Sequence, residues 1–370
     1  EEANRLNKDI ARHVKARFCL NEGTHYKYHD ELEYASEAEK WLQMAATESD
    51  KLITSGRYEI YNTGHPQEDY FNMYRIDDKS DLKEAVLYVD YKTNILEHNM
   101  AAAGREAGCG FSKSFVESFL CSDGLPISLS NKYLGDETMR KETANRDPRL
   151  KQLILTNDFP TNVTDDLKDS TFVVNEDEFI TQHCFTGYRP IKGFNPIYSQ
   201  ALYMKSSFDG IAYRYAETLL INAEAKAELN TITNADLDRT VNQLRDRVGM
   251  PHLTVNVGFT DPKWPDWGYS LSPILQEIRR ERCIELAGEG FRFNDLKRWK
   301  AGKVLNNVLT YVGKRKPDGN LAIVYPNYTN PDLSYQAGKS RTWEDKMYLY
   351  PIPTGELQRN PQLLPQNPGW

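Results

Sequence analysis

Residues 213–229 read YRYAETLLINAEAKAEL, and this stretch decides the fold class. Its apolar side chains return at i, i+4, i+7 and i+11, which is the spacing of one helix face. The residues on that face are Ala216, Leu220, Ala223 and Ala227. Because most of them are alanines, a neighbouring helix can approach closely, and we predict a helix that packs against another helix.

The next stretch predicts the partner of this helix. It starts near Asn234, with Thr233 or Asn234 as its cap, and Gly249 and Pro251 end it. Its apolar face repeats the same spacing, at Leu237, Val241, Leu244 and Val248. Two such antiparallel helices form the unit of a tetratricopeptide-like array, although the strict repeat signature is absent. We therefore predict a mainly α fold of tetratricopeptide-like helix pairs.

Working outward, the remainder of the chain divides into three parts of one domain, 1–370. Residues 1–61 are predicted to form tetratricopeptide-like helices at 12–20 and 36–53, with a break from Gly23 to Asp30. Residues 62–210 form a loop-rich part with short strands such as 85–89. Residues 211–370 contain the helix pair and a further helix that starts at Pro273, with Ser272 as its cap.

The composition excludes several classes of function. The net charge of −7 lies along 370 residues without a basic stripe, so a nucleic-acid partner is not expected. The 5 cysteines are scattered, which argues against a structural zinc site and a disulfide framework. The chain has 22 tyrosines against 14 phenylalanines. Tyrosine suits a wet surface that grips sugars or peptides, and it equally suits a tyrosine-rich core.

Five segments, in the same order, resemble the SusD/RagB family. The run at 278–299, IRRERCIELAGEGFRFNDLKRW, is the most specific of them. The others are YRYAETLL with AEA at 213–225, DGLPI at 123–127, NRDPR at 145–149, and YLYPIP at 348–353 with the terminus through 370. Together they cover residues 120–370, whereas the first 100 residues match only loosely.

The resemblance implies a SusD-like α-α superhelix with an irregular, loop-rich part that faces the ligand. It implies a surface-exposed lipoprotein of the outer membrane, whose lipid anchor and first helices are not in this chain. The implied partner is a SusC-like TonB-dependent transporter, and the implied ligand is an oligosaccharide, or a peptide in RagB-like members. The expected role is nutrient capture without a cofactor, and not catalysis.

The arginine- and glutamate-rich run invites a catalytic interpretation, because Glu281 and Glu285 share one helix face. Arg279, Arg280, Arg282 and Arg292 surround them, however, and arginines lower carboxylate pKa values. We interpret the run as an ion-pair network between helices. The aromatic residues after it, Phe291, Phe293 and Trp299, are expected in the core.

Ligand-binding loops should place aromatic rings beside polar groups, away from helix faces. The best stretch is DPKWPDWGY at 261–269, where Trp264, Trp267 and Tyr269 lie in a proline-stiffened loop. These rings form a preformed platform or, alternatively, anchor the loop to the core. Further candidates are His98 and Arg105 in the stretch 98–111, and Tyr133 after the DGLPI turn.

No metal site is predicted. His25 and His29 do have a spacing that can bind metal on a helix, but this spacing alone is a weak signal. Asp77, Asp78 and Asp81 are close together but lack the EF-hand pattern of a calcium site. The motifs of the common hydrolases are absent, although a pair of glycosidase carboxylates remains open from sequence alone. Two other functions therefore stay as alternatives, a glycan hydrolase and a helical scaffold that binds only protein.

Overall fold

The computed structural model describes residues 4–100, 110–157, 160–163, 169–171, 175–180, 184–195, 197–323 and 341–370. Helices dominate this part of the chain, which confirms the predicted mainly α fold. They are α1 (Lys8–Tyr28), α2 (Ala38–Thr54), α3 (Asp69–Asn72), α4 (Lys113–Ser118), α5 (Met139–Thr143), α6 (Arg149–Leu153), α7 (Tyr198–Ala201), α8 (Tyr215–Glu228), α9 (Asn234–Asp238), α10 (Val241–Arg247), α11 (Pro273–Glu285), α12 (Arg292–Arg298) and α13 (Thr354–Arg359).

The strands pair only two at a time. They are β1 (Ala85–Val89), β2 (Pro160–Val163), β3 (Asp169–Thr171), β4 (Gly210–Arg214), β5 (Val312–Arg315) and β6 (Leu321–Ile323). The pairs β1–β4, β2–β3 and β5–β6 are antiparallel. The predicted strand at 85–89 is confirmed, and β4 leads directly into α8, which ties the loop-rich part to the helices.

Helix α8 is the centre of the molecule. Thirteen of its fourteen residues are buried, because α2 and α11 both pack against it. Its alanines allow this close approach, as the sequence predicts. The predicted start of α11 is also confirmed, since Ser272 is its N-cap and Pro273 its first residue.

The predicted break between Gly23 and Asp30 is wrong. Helix α1 is continuous from Lys8 to Tyr28. At its start, the Asn7 side chain accepts hydrogen bonds from backbone amides of the first turn. A Cβ atom at Gly23 would lie 2.8 Å from Leu42 Cγ in α2. Glycine is therefore needed for close helix packing here, although it lowers helix propensity by about 1 kcal/mol relative to alanine.

The helix predicted from Asn234 to Val248 is two helices, α9 and α10. The chain leaves the helical path at Thr240, whose φ is −131°. The Thr240 hydroxyl donates to the Asp236 carbonyl at 2.6 Å, while its amide donates to Leu237. A side-chain hydrogen bond thus occupies the carbonyl that a continuous helix would use for the Thr240 amide.

Buried ion pairs join α11 to the elements around it. Four arginines and four carboxylates are buried together: Arg149, Arg214, Arg245 and Arg247 with Glu84, Asp147, Glu281 and Glu285. Each carboxylate accepts from at least one of the arginines. The predicted ion-pair network is confirmed, and Glu281 and Glu285 are structural residues.

The partners in this network differ from those that the sequence indicated. The arginines that pair with Glu281 and Glu285 lie on β4, α6 and α10, and not in the run 278–299 itself. Arg279 and Arg282 pair instead with Glu228 and Asp295. Of the aromatic residues expected in the core, Trp299 is fully buried, as predicted. Phe293 is 47% exposed, so the prediction is wrong for that residue.

No helix in the described ranges is both long and apolar enough to span a bilayer.

Candidate binding cleft

A cleft of about 730 Å³ lies beside the tryptophan loop, residues 261–268. Helix α4 forms the opposite wall, and residues 303–310 close one end. The floor is α11, through Gln276, Arg279, Arg280 and Cys283. The volume falls within the usual range of small-ligand sites, and the lining is more apolar than polar, as in such sites.

The buried Asp261 carboxylate fixes the loop at its first residue. Its two oxygens accept from the Ser128 hydroxyl at 2.7 Å and from Arg280 Nη2 at 2.6 Å. One of them also accepts from the Lys263 amide, which turns the chain. Further along, Lys263 Nζ lies 3.1 Å from Glu117 Oε2 on α4, so that an ion pair crosses the rim of the cleft.

Trp264 is held in one orientation. Its Nε1–H donates to Glu277 Oε1 at 2.7 Å, and that carboxylate is fully buried. The ring packs beside Phe259, with centroids 6.2 Å apart, and the side chain stays partly exposed on the cleft wall. Because the hydrogen bond and the neighbouring ring fix the indole, a ligand would not have to order it.

Trp267 also lines the cleft but is only 4% exposed. Its Nε1–H donates to Gln276 Oε1 at 2.6 Å, and its ring meets Trp299 edge to face at 5.6 Å. These contacts favour the anchoring role for Trp267 that the sequence left open. Trp264 lies on the wall of the cleft and fits the interpretation as a platform. Trp267 lies beneath that wall and fits the interpretation as an anchor of the loop.

Tyr269 supports the loop from behind the cleft. Its ring stacks on Tyr28 at 4.6 Å, and its hydroxyl donates to the Trp299 carbonyl at 2.5 Å. Burial raises the pKa of Tyr269 to about 12, so the hydroxyl remains a donor at neutral pH. Arg279 Nη1 donates to the same oxygen at 3.0 Å, which couples the loop to α11.

His98 and Tyr133, two further predicted site residues, do not line this cleft. His98 lies between Tyr91 and Phe208, and its Nε2 is 2.8 Å from the Phe208 carbonyl. Tyr133 packs against the Arg146 guanidinium, 5.3 Å from its ring centre. Arg105 lies outside the described residues. Among the candidates within the described residues, it is the loop, through residues 261–268, that lines this cleft.

Several residues of the cleft were not predicted from the sequence. Phe115 reaches it from α4, Asn307 and Lys303 from the segment after α12, and Arg292 from the start of α12. They come from segments far apart in the chain, and none shows an aromatic-polar pattern of its own. Arg292 was assigned to the ion-pair network, but it has no carboxylate partner among the described residues.

A second cavity of about 1170 Å³ runs between α1 and the corner at Gly288–Gly290. Several of its charged groups are already paired, among them Lys192 with Glu289 at 2.7 Å and Arg298 with Asp295 at 2.9 Å. His25 borders it and stacks on His29, whose nitrogens contact Glu31 and the Lys297 carbonyl. No cluster of His, Cys, Asp or Glu in the described ranges is arranged to hold a metal ion.

An exposed apolar surface lies apart from the cleft beside Trp264, on residues 89–100 and 197–206, and only its Met100 also borders the second cavity. Backbone bonds between His98 and Ser206 join the two segments. Ile95 is 79% and Tyr203 75% exposed. The other large apolar side chains of this surface are Val89, Leu96, Met100, Tyr198, Leu202 and Met204. A patch of this kind marks an interaction surface more often than a chance exposure.

Comparison with known proteins identifies the family. The sequence profile of the SusD family matches residues 47–370. The chain belongs to the SusD family. The run at 278–299 and the buried network around it lie inside this match, and the predicted resemblance is therefore confirmed. The family consists of binding proteins and not of enzymes, which agrees with the structural role of Glu281 and Glu285.

Relatives of this SusD-family chain are longer than it is. The chain is 32% identical to SusD-like protein P2 of Formosa agariphila over 166 residues, which are 45% of this chain and 27% of that protein. A SusD-like protein structure from Bacteroides fragilis is 25% identical, with a TM-score of 0.67 over 100% of this chain and 66% of its own. The chain thus spans just under two thirds of that structure.

A second Bacteroides fragilis structure, a SusD-like carbohydrate-binding protein, supports the fold. It is 23% identical, covers 98% of this chain and 66% of its own, and has a TM-score of 0.66. SusD-like proteins are tetratricopeptide-like helical proteins, so the predicted helix-pair architecture is confirmed.

Proposed function

We propose that the protein captures oligosaccharides at the cell surface, and that the cleft beside Trp264 receives them. The observation that carries the proposal is the fixed, partly exposed Trp264 indole on the wall of a preformed cleft. Sugar rings present C–H faces that stack on aromatic rings. Their hydroxyls need donors and acceptors, which Asn307 and Ser114 supply around the same cavity.

Family membership supports the carbohydrate ligand, since one solved relative is described as a carbohydrate-binding protein. The carboxylates of the cleft support binding over hydrolysis. Asp261 and Glu117 are both engaged in ion pairs with cations of the site. Burial does raise the pKa of Glu142, yet that side chain bonds to Lys113 and Tyr188 outside the cleft.

Calorimetric titration with a panel of oligosaccharides and peptides, followed by product analysis of the same samples, tests this function. We expect at least one oligosaccharide to bind and to be recovered intact. Hydrolysis products would overturn the binding role in favour of a glycan hydrolase. Binding of peptides alone would overturn the carbohydrate assignment in favour of a RagB-like peptide carrier.

We also propose where the protein is located and with which transporter it works. As in the family that it resembles, the mature protein is held at the outer membrane by an N-terminal lipid anchor and works with a SusC-like TonB-dependent transporter. We assign contact with this transporter to the apolar surface of residues 89–100 and 197–206. Six of its eight large side chains are aliphatic, which suits a protein surface better than a sugar ring.

Charge at this surface is expected to prevent assembly. The double variant Ile95→Asp and Tyr203→Asp should no longer co-purify with the transporter in detergent, because it buries two unpaired charges. Glycan binding at the distant cleft should not change. Phe18→Asp, on the exposed face of α1, is the matched control. Co-purification of the double variant at the normal yield would refute the assignment.

A further inference from the structure

The lining of the cleft beside Trp264 contains more basic than acidic side chains, whereas the chain as a whole is acidic. Five basic side chains line it, against three acidic ones, in a chain of net charge −7. The basic residues are Lys263, Arg279, Arg280, Arg292 and Lys303, and the acidic residues are Glu117, Asp261 and Asp266. A cavity of sign opposite to its protein concentrates ligands of the complementary charge.

Three of the five cations are neutralised within the protein. Lys263 pairs with Glu117, Arg280 with Asp261, and Arg279 with Glu228 beneath the floor. Arg292 and Lys303 make no ion pair with any residue in the described part of the chain. Asp266 is exposed and accepts from the Gly268 amide within its own loop. Within the described residues, two cations at the cleft are therefore available to a ligand.

Arg292 is placed for a ligand and not for the stability of its helix. It is the first residue of α12, where the helix dipole disfavours a positive charge. The residue is half-buried, and its guanidinium Cζ atom lies 5.8 Å from the centre of the Trp267 ring. That contact limits its motion and leaves its fork of donors available, and such a fork matches a carboxylate or a sulfate bidentately.

We infer that the cleft selects acidic oligosaccharides, with Arg292 as the principal partner of a sugar carboxylate or sulfate and Lys303 as a second. The inference rests on the proposed function of the cleft and names the class of its ligand. A neutral ring face stacks on Trp264, while the anionic substituent reaches Arg292 across the floor. Uronates and sulfated sugars share this chemistry, so the experiment includes both.

The test is calorimetry with two matched pairs of ligands. One pair is an oligogalacturonate and its carboxyl-reduced form; the other is a carrageenan oligosaccharide and its desulfated form. We expect one acidic member to bind about tenfold or more tightly than its neutral counterpart, as a charge-assisted hydrogen bond implies. The preference should shrink as ionic strength rises.

Variants locate the preference. Arg292→Gln should remove most of the preference between acidic and neutral members and leave binding of the neutral one unchanged. Lys303→Gln should reduce it by a smaller factor. Lys297→Gln, on the same helix but facing the other cavity, is the matched control and should change nothing. Thermal unfolding of each variant shows that the fold is kept.

The outcomes separate this inference from the proposed function. Equal binding of acidic and neutral members would overturn the acidic selectivity and leave glycan capture intact. A preference that is undiminished in Arg292→Gln would overturn the role of Arg292. Failure of every oligosaccharide of the panel to bind would overturn both.

Discussion

Glu285→Gln is expected to lower the free energy of unfolding by about 3–5 kcal/mol, because it removes one partner of a buried ion-pair network. The carboxylate accepts from Arg247 at 2.6 Å, from Arg214 at 2.5 Å and from Arg149 at 3.0 Å, and it is fully buried. A glutamine there leaves three guanidinium groups facing an uncharged amide, far from water.

Urea unfolding followed by circular dichroism measures this loss. Glu59→Gln removes an equivalent pair on the surface, where Glu59 and Lys83 are 69% and 65% exposed. We expect that control to change the free energy by less than about 1 kcal/mol. Similar losses in the two variants would show that the buried network does not hold the helices together.

The same network makes stability depend on pH. Burial alone would raise the pKa of Glu285, but Arg247, Arg214 and Arg149 outweigh it and hold that pKa well below its usual range. A carboxyl of depressed pKa stabilises the fold above its unfolded pKa and loses that contribution as the pH falls. Glu217 contributes to stability in the same way. Burial alone would raise its pKa, but His13 and Arg17 lower it to about 2. The free energy of unfolding should therefore decrease as the pH is lowered from about 4.5 to about 2. The decrease should be less steep in Glu285→Gln than in the unchanged protein.

Trp264→Ala is expected to weaken oligosaccharide binding about 30-fold or more, which corresponds to about 2 kcal/mol, the scale of a tryptophan hot spot. The variant removes the one exposed aromatic face that the loop presents to the cleft. Stability should change little, because the partly exposed ring is held mainly by its hydrogen bond to Glu277. Glu277 keeps its bond to Arg280 at 3.1 Å.

Two further variants make the result specific. Trp264→Phe keeps an aromatic face but loses the fixing hydrogen bond, and it should bind with intermediate affinity. Trp41→Ala removes a partly exposed tryptophan of α2, which packs on Phe18 away from the cleft, and should bind normally. Unchanged affinity in Trp264→Ala would mean that the ligand does not stack on this residue.

The presence of helices was predictable where one face carries a regular apolar pattern, although their breaks were not. The face of α8 and the Ser272-Pro273 start of α11 show this, because spacing and capping are local properties of the chain. Gly23 was misread because its close contact with Leu42 depends on a second helix. Thr240 was misread because its hydroxyl competes with the backbone, a geometry that apolar spacing does not record.

The candidate site was predictable only in its loop. Prolines and tryptophans at 261–269 mark a stiff aromatic segment, whichever elements lie around it. The burial of Trp267 depends on Trp299, which is distant in sequence. In the sequence Arg292 resembles its neighbours in a run of charges, and only the three-dimensional pairing of the other arginines shows that Arg292 differs from them in having no carboxylate partner among the described residues.

The most direct test of the central claim uses Cys283, a half-buried thiol that lines the cleft floor. The measurement is its rate of alkylation, resolved by peptide mass spectrometry, with and without a saturating oligosaccharide found by titration. We predict that the sugar slows alkylation of Cys283 and that Trp264→Ala, at the same sugar concentration, loses this protection. An oligosaccharide that binds but leaves the rate at Cys283 unchanged would place the ligand elsewhere and contradict the account.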